Sequence, residues 1–549
     1  MPTPIAPRLS RVSISTALLL LPALLGPGPS HAAIHPVGAQ RYFENSAAPF
    51  GPATSDEYAS ALAAGDFNCD GRDDLALGTP FDDPDGIADA GAVQIRYGFA
   101  GVGVDPGNVS LFLSQLFALA PDPAEPGDAF GYAVAAGDFN GDGCDDLAVG
   151  VPGENVGGGV HSGAVQVHYG GALGLDDNSF SLFDEGFLLS RSPGNLFGAA
   201  LAAGDFNGDG KEDLAIGVPY GEFGSATADC GYVLILKGSG AGLTTALWEF
   251  AVQGDHPAFP LRGTPEVDDR FGAALASGRF NDDVYDDLAI GVPGESLPEE
   301  TAGTPIEDAG VVAVVYGSAS GLTATGDQLF SQDSGSLADQ AEAGDQFGST
   351  LAVGDFNDFG GQDLAIGVPF EGILSLASAG VVHILLSQPG GLDTANAFYW
   401  EQDGTHIDIS EAGDLWGWAL AAGDFDRDGR DDLAVGSWSE SVTGGQAGQG
   451  AVIVVSGPPG PFALGERWHQ DSPGVPDTAE NGDWFGRTLA AGDWNGDGHA
   501  DLAVGVPHET ESFLQQGAVS IFYGVLFADG FETSETCRWS LSSPGDPNC

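Results

Sequence analysis

Seven times along this chain of 549 residues the same phrase returns, seen in full as Gly204-Asp205-Phe206-Asn207-Gly208-Asp209-Gly210-Lys211-Glu212-Asp213-Leu214-Ala215. Its copies start at Gly65, Gly137, Gly204, Gly278, Gly354, Gly423 and Gly492, at spacings of 72, 67, 74, 76, 69 and 69 residues. A unit of that size cannot bury its apolar face alone, so the copies must stack or close on one another. One repeat array therefore replaces the division into domains of about 150 residues that length would suggest.

Each unit reads as four strands. In the third, residues 197–203 form a short run of small and apolar residues that ends at the acidic loop; this is the expected first strand. Residues 214–219 follow as the second and stop at Pro219, and residues 230–237, rich in β-branched side chains, form the third. Residues 398–402 and 467–470 show the more polar fourth strand of two later units. Polarity that rises from a Gly/Ala-rich first strand to a polar fourth describes a propeller blade seen from axis to rim. The expected fold is all-β, a seven-bladed β-propeller of four-stranded antiparallel blades. The last unit runs out after its third strand, and Arg41-Tyr42-Phe43-Glu44 reads like Arg467-Trp468-His469-Gln470. Residues near 39–46 are thus expected to complete the blade of residues 485–524 and close the ring, which removes an exposed sheet edge.

The loop between the first two strands places Asp or Asn at positions one, three, five and nine, often with Gly at six, and position seven can offer its backbone carbonyl. Hard oxygens in that number suit Ca²⁺ better than Zn²⁺, which would take Cys or His. Five units keep the set: Asp66, Asn68, Asp70, Arg72, Asp74; Asp138, Asn140, Asp142, Cys144, Asp146; Asp205, Asn207, Asp209, Lys211, Asp213; Asp424, Asp426, Asp428, Arg430, Asp432; and Asp493, Asn495, Asp497, His499, Asp501. The fourth unit has Arg279 at position one and the fifth has Phe359 at position five, so both are expected to bind a metal weakly or not at all. Asp, Asn and Gly also form turns, but five copies with carboxylates at alternating positions exceed what a turn requires. An EF-hand is disfavoured, because the aspartate at nine runs directly into a strand. About five calcium sites with a structural role are expected.

These repeats resemble the FG-GAP repeats of the integrin α-subunit amino-terminal propeller. The resemblance rests on Phe-Gly at Phe130, Phe197, Phe271, Phe347 and Phe485, on the Asp-rich loop, and on Gly-x-Pro at Gly78, Gly150, Gly217, Gly291, Gly367 and Gly505. The first unit has Tyr58-Ala59 in place of Phe-Gly; the sixth has Trp416-Gly417, and Gly436-Ser437-Trp438 for Gly-x-Pro. The family implies seven blades with calcium in hairpin loops on one face. Integrin function is not implied.

Acidic residues number 79 against 16 Lys and Arg, a formal charge of −63, which argues against nucleic acid and anionic membranes. Arg8 and Arg11 precede an apolar run over residues 16–25 and a small-residue stretch ending at Ala32-Ala33, the pattern of a secretory signal peptide. The expected organisation is a signal peptide at 1–32, the propeller at 33–524 and a tail at 525–549, exported and without membrane insertion. Cys69 and Cys144 lie in neighbouring acidic loops and could be bridged, Cys537 and Cys549 could close the tail, and Cys230 would be left over; the sequence leaves the pairing open. A monomer is expected.

The longer two-to-three and four-to-one connections share the face opposite the loops, where a protein or glycan ligand is expected to bind. In the sixth unit Trp416, Trp418 and Trp438 lie toward that face, either exposed as a partner-binding cluster or packed between blades, with Trp418 the best placed for exposure. No catalytic motif is found, and the expected role is an extracellular binding or cell-adhesion module rather than an enzyme. The alternative is a carbohydrate-active propeller enzyme such as a polysaccharide lyase.

Overall fold

The computed structural model of the chain describes residues 34–43, 55–104, 110–115, 123–156, 161–176, 180–187, 192–222, 228–254, 260–298, 304–405, 408–442, 448–456, 465–510 and 515–524. The expected signal peptide, the tail, and Cys537 and Cys549 lie outside these residues. Seven sheets form the blades; six are each built from one repeat with neighbouring strands in the order of the sequence, and the seventh takes its outer strand from the amino terminus. Blade 1, for example, holds Ala61–Gly65, Asp74–Thr79, Ala92–Arg96 and Ser110–Leu113. Blade 3 adds Pro260–Leu261 as a fifth strand, parallel to Thr244–Gln253. Among the described residues the fold is all-β apart from short 3-10 turns.

The first strands form the inner ring. Each touches the first strands of the two neighbouring blades, and Thr488–Gly492 of blade 7 touches Ala61–Gly65 of blade 1. A glycine ends every one of these strands because the next blade leaves no room for a side chain. A Cβ on Gly65 would lie 2.7 Å from the Ala136 Cβ, one on Gly354 2.8 Å from the Ala422 Cβ, and one on Gly492 2.8 Å from the Ala64 Cβ. The small residues of the first strand are therefore a consequence of convergence at the axis.

The second and third strands are buried almost throughout and carry Val, Ile and Leu. Their side chains fill the spaces between blades. Phe197, for instance, packs with Phe139, Val165 and Val167 of blade 2 and with Leu214, Ile216 and Leu234 of blade 3. Every Phe of the Phe-Gly pairs is fully buried in this way, as are Tyr58 and Trp416 at the same position. Burying one such ring contributes about 1.5–3 kcal/mol.

The first strand begins later than the sequence suggests, at Ala200 rather than Phe197. The Phe-Gly pair is a turn: Leu196 has φ 56° and Gly198 φ 89°, conformations that an extended strand excludes. The Phe197 amide donates to the Ser162 carbonyl of blade 2 at 3.1 Å, and the Gly198 amide to the Gly217 carbonyl of its own blade at 3.1 Å. Phe-Gly is thus the joint that seats one blade against the previous one.

Blade 7 is completed as expected by an amino-terminal strand. Ile34–Tyr42 pairs antiparallel with Ala518–Gly524, matching Gln40 with Ile521, Arg41 with Ser520 and Tyr42 with Val519. Residues 44–46 lie outside the described part. The Tyr523 hydroxyl donates to Gln40 Oε1 at 2.7 Å, the Tyr42 hydroxyl to the Val104 carbonyl of blade 1 at 2.8 Å, and Arg41 pairs with Asp477 at 2.9 Å and Glu509 at 3.2 Å.

Candidate metal centre

The acidic loops sit beside the ends of the third strands. The aspartate at position nine is the fixed point. Asp74, Asp146, Asp213, Asp287, Asp363, Asp432 and Asp501 are each at most 1% exposed. In six of them Oδ1 accepts an amide from the end of the third strand or just past it, as Gly98 to Asp74 at 2.8 Å and Gly524 to Asp501 at 2.7 Å. The degenerate fourth and fifth loops keep this bond, from Gly317 to Asp287 and from Ser387 to Asp363, each at 2.8 Å. Position nine therefore has a structural task that is independent of any ion.

The other positions gather round it. Asn68, Asn140, Asn207 and Asn495 each donate Nδ2 to the position-nine carboxylate at about 3 Å, while position-one aspartates accept the amides of positions five and six. In the sixth loop Asp424, Asp426 and Asp432 bring carboxylate oxygens within 4.8 Å of one another. Asp426 Oδ2 and Asn495 Oδ1 are buried oxygens with no hydrogen-bond partner. Burial, then repulsion from positions one and five, pushes Asp74 and Asp501 up to about 8 and Asp146 to about 7, while Asp213 rises to about 6. Orphaned oxygens, an all-oxygen donor set and crowded charge fit a hard divalent cation.

Position seven adds a feature that its backbone carbonyl role did not predict. Arg72 pairs with Asp70 at 3.1 Å, Lys211 with Asp209 at 3.2 Å, and Arg430 with Asp428, so three loops carry an internal cation on the position-five carboxylate. Cys144, also at position seven, is bonded to Cys69, with Cα atoms 4.9 Å apart, which ties the loops of blades 1 and 2 together. Cys230 is a buried thiol. His499 occupies position seven of the last loop, with its amide bonded to Asp497 at 3.1 Å.

Position eight was missed. Asp145 Oδ2 accepts the Asp66 amide of the preceding blade at 2.8 Å, Asp286 that of Asp205 at 2.9 Å, and Asp431 that of Asp355 at 2.8 Å. Asp73 accepts the Asp493 amide at 2.8 Å and so clasps blade 7 to blade 1. The signal was present, since acidic residues or Gln fill this position in six units, but a ligand pattern read within one loop does not look across to the next.

A second acidic motif was also missed, on the face opposite the loops. Glu-x-x-Asp precedes the Phe-Gly or Trp-Gly pair at Glu125, Glu266, Glu342, Glu411 and Glu480, and the same blade places a glutamate two residues past its Gly-x-Pro or Gly-Ser-Trp, at Glu154, Glu295, Glu371, Glu440 and Glu509. Gln253, Gln332, Gln402 and Gln470, near the end of the preceding fourth strand, donate to these glutamates.

On that face Trp416 is fully buried between blades 5 and 6 and drops out of the proposed surface cluster, because it takes the place of the wedged Phe. Trp418 and Trp438 are half-buried and meet edge to face at 5.6 Å. They belong to a longer row: Phe370 lies 6.0 Å from Trp418, Trp484 4.8 Å from Trp438, and His508 stacks on Trp484 at 3.3 Å. The Arg487 guanidinium lies 4.5 Å from the Trp418 ring centre and 6.0 Å from that of Trp438. Burial lowers the pKa of Arg487, opposed by the charge of Glu57. Trp418, Arg487 and Tyr132 each follow the Phe-Gly or Trp-Gly pair, a place that other units give to Ser60, Ala199, Ala273 and Ser349. Trp484 and Arg487 were legible only once blades 6 and 7 were known to adjoin.

The FG-GAP repeat family model matches residues 58–95, 130–168, 197–229, 416–455 and 485–522, which are repeats one, two, three, six and seven. The unmatched fourth and fifth are those with Arg279 and Phe359. Integrin alpha-5 of Xenopus laevis is 30% identical over 252 residues, 45% of this chain and 20% of that protein. Phosphatidylinositol-glycan-specific phospholipase D of Rattus norvegicus is 35% identical over 169 residues, 31% of this chain and 18% of that protein. The chain thus spans about a fifth of the length of these curated relatives. Among solved structures, that of the Dos1 propeller aligns over 88% of this chain and 96% of its own, at 13% identity and a TM-score of 0.41. The chain is thus a seven-bladed β-propeller, five of whose repeats match the FG-GAP repeat model, and it resembles the amino-terminal propeller of integrin α subunits.

Proposed function

We infer that the protein is an exported, calcium-stabilised propeller that works as an extracellular binding or adhesion module. In this reading residues 1–32 are a signal peptide, 33–524 the propeller and 525–549 a tail, and the five intact loops hold calcium. Among the described residues no helix is long and apolar enough to cross a membrane. The observation that carries the binding role is the half-buried aromatic row from Phe370 to His508 with Arg487 laid over it. Such a surface offers stacking area to a sugar ring or an apolar protein anchor, with one cation for an acidic group. The ligand is a protein or a glycan, and the module acts as a monomer without catalysis of its own.

A glycan and protein array probed with the full chain, with and without calcium, tests this reading. Bound ligands should be lost, by about tenfold or more in affinity, in Trp418→Ala and Trp438→Ala chains that keep their melting temperature. Unchanged binding by both variants would remove the row from the function. Cleavage of an oligosaccharide by the purified chain would instead favour a carbohydrate-active enzyme, such as a polysaccharide lyase.

A further inference from the structure

The acidic motif on the face opposite the loops differs from joint to joint in what neutralises it. At the joint of blades 6 and 7, Arg41 of the amino-terminal strand pairs with Asp477 and Glu509. At the joint of blades 2 and 3 the carboxylates are largely replaced, and Glu185 is satisfied by Asn195 at 2.7 Å and by Tyr232. At the joint of blades 4 and 5 neither solution is present. Glu342, Asp345 and Glu371 bring carboxylate oxygens within 4.8 Å of one another, Asp345 and Glu371 are only 3% and 2% exposed, and among the described residues no Lys, Arg or His pairs with any of the three.

A neutral group completes the cluster. Gln332, 1% exposed, turns its amide onto it: Nε2 donates to Glu371 Oε2 at 2.6 Å, while Oε1 is buried and accepts no hydrogen bond. An amide carbonyl left unsatisfied beside three carboxylates is costly unless a cation draws on it. Two oxygens on opposite sides of a calcium ion, each about 2.4 Å from it, stand about 4.8 Å apart, so oxygens gathered within that distance of one another can share one ion.

We propose that Glu342, Asp345, Glu371 and Gln332 form a second kind of divalent-cation site, for an ion of calcium type, which locks blade 4 to blade 5 on the face opposite the Asp-rich loops. The joint is the one where both neighbouring loops, with Arg279 and Phe359, have lost part of their ligand set. The site stands whether or not the loops bind metal.

Calcium bound per chain, measured by equilibrium dialysis on the full chain, tests it. Asp345→Asn/Glu371→Gln, nearly isosteric, should bind one calcium fewer than the unmodified chain and lose part of the rise in melting temperature that calcium gives. Asp209→Asn serves as a separate reference for the loop sites. A folded Asp345→Asn/Glu371→Gln chain with an undiminished calcium count overturns the proposal. Should that variant fail to fold, a crystal of the unmodified chain soaked in Tb³⁺ decides: anomalous density between Asp345 and Glu371 supports the site, and its absence there overturns it.

Discussion

At the scale of single residues, glycine and histidine positions show how tightly the ring constrains its sequence. A Cβ on Gly150 would run into the backbone carbonyl of Gly198 in the next blade, whereas one on Gly171 would meet nothing within 4 Å. Gly150→Ala is expected to destabilise the fold by about 1–3 kcal/mol, and Gly171→Ala by no more than about 0.5 kcal/mol, as read from urea unfolding. His383 is fully buried against Phe347 and Tyr399 with both ring nitrogens unpartnered, and burial lowers its pKa to about 4. Its folded pKa lies below the unfolded value of about 6.5, so the unfolded chain binds the extra proton and stability is lost as pH falls from about 6.5 to 4. The slope from this residue approaches about 1.4 kcal/mol per pH unit. Leu234 and Ile453 hold the same register in blades 3 and 6, so His383→Leu should fold and should flatten that part of the pH profile. An identical profile in the variant would clear His383 of the effect. The oxygen-rich loops were legible residue by residue because their types and spacing are chemical; the same sequence did not reveal that Asp287 and Asp363 keep their place where the loop pattern is broken, since their amide partners at Gly317 and Ser387 come from the third strand and its end.

Elements were legible where their composition stands out. The third strands, such as Val311–Tyr316, announce themselves by β-branched residues, and the closing role of residues near Arg41 followed from a missing fourth strand. The Phe-Gly pair was read as the start of a strand because it adjoins small apolar residues, but the left-handed backbone at Leu196 and Gly198 makes it a joint. The fourth strand of blade 5, Gly391–Trp400, runs longer than the polar stretch at 398–402 suggested, because pairing with Val381–Gln388 extends it to the hairpin. Removing residues 34–42 should leave Ala518–Gly524 as an open edge and take away the Arg41 pairs. Differential scanning calorimetry should then show a lower melting temperature and a broader transition; an unchanged melt would mean that the ring closes without this strand.

For the whole molecule the governing facts are the closed ring and the charge of −63. Extracellular calcium sites commonly have dissociation constants of about 10⁻⁴–10⁻³ M, so calcium at about 1 mM would add roughly 0.4–1.4 kcal/mol per site. Several such sites together rival the stability of a domain, and chelation should lower the melting temperature markedly, with recovery on adding calcium back. A melt indifferent to both would dismiss the structural role of calcium. The repeat by itself determined the number of blades, their strand order and the oxygen-rich loops, because periodicity and side-chain chemistry are local properties written into each unit. Only the tertiary structure decided what happens between units: the wedge of Phe-Gly, the position-eight clasps, the burial of Trp416, the row from Phe370 to His508 and the acidic joint at Glu371. Each joins residues of different blades, and their distances exist only once the seventh blade has met the first.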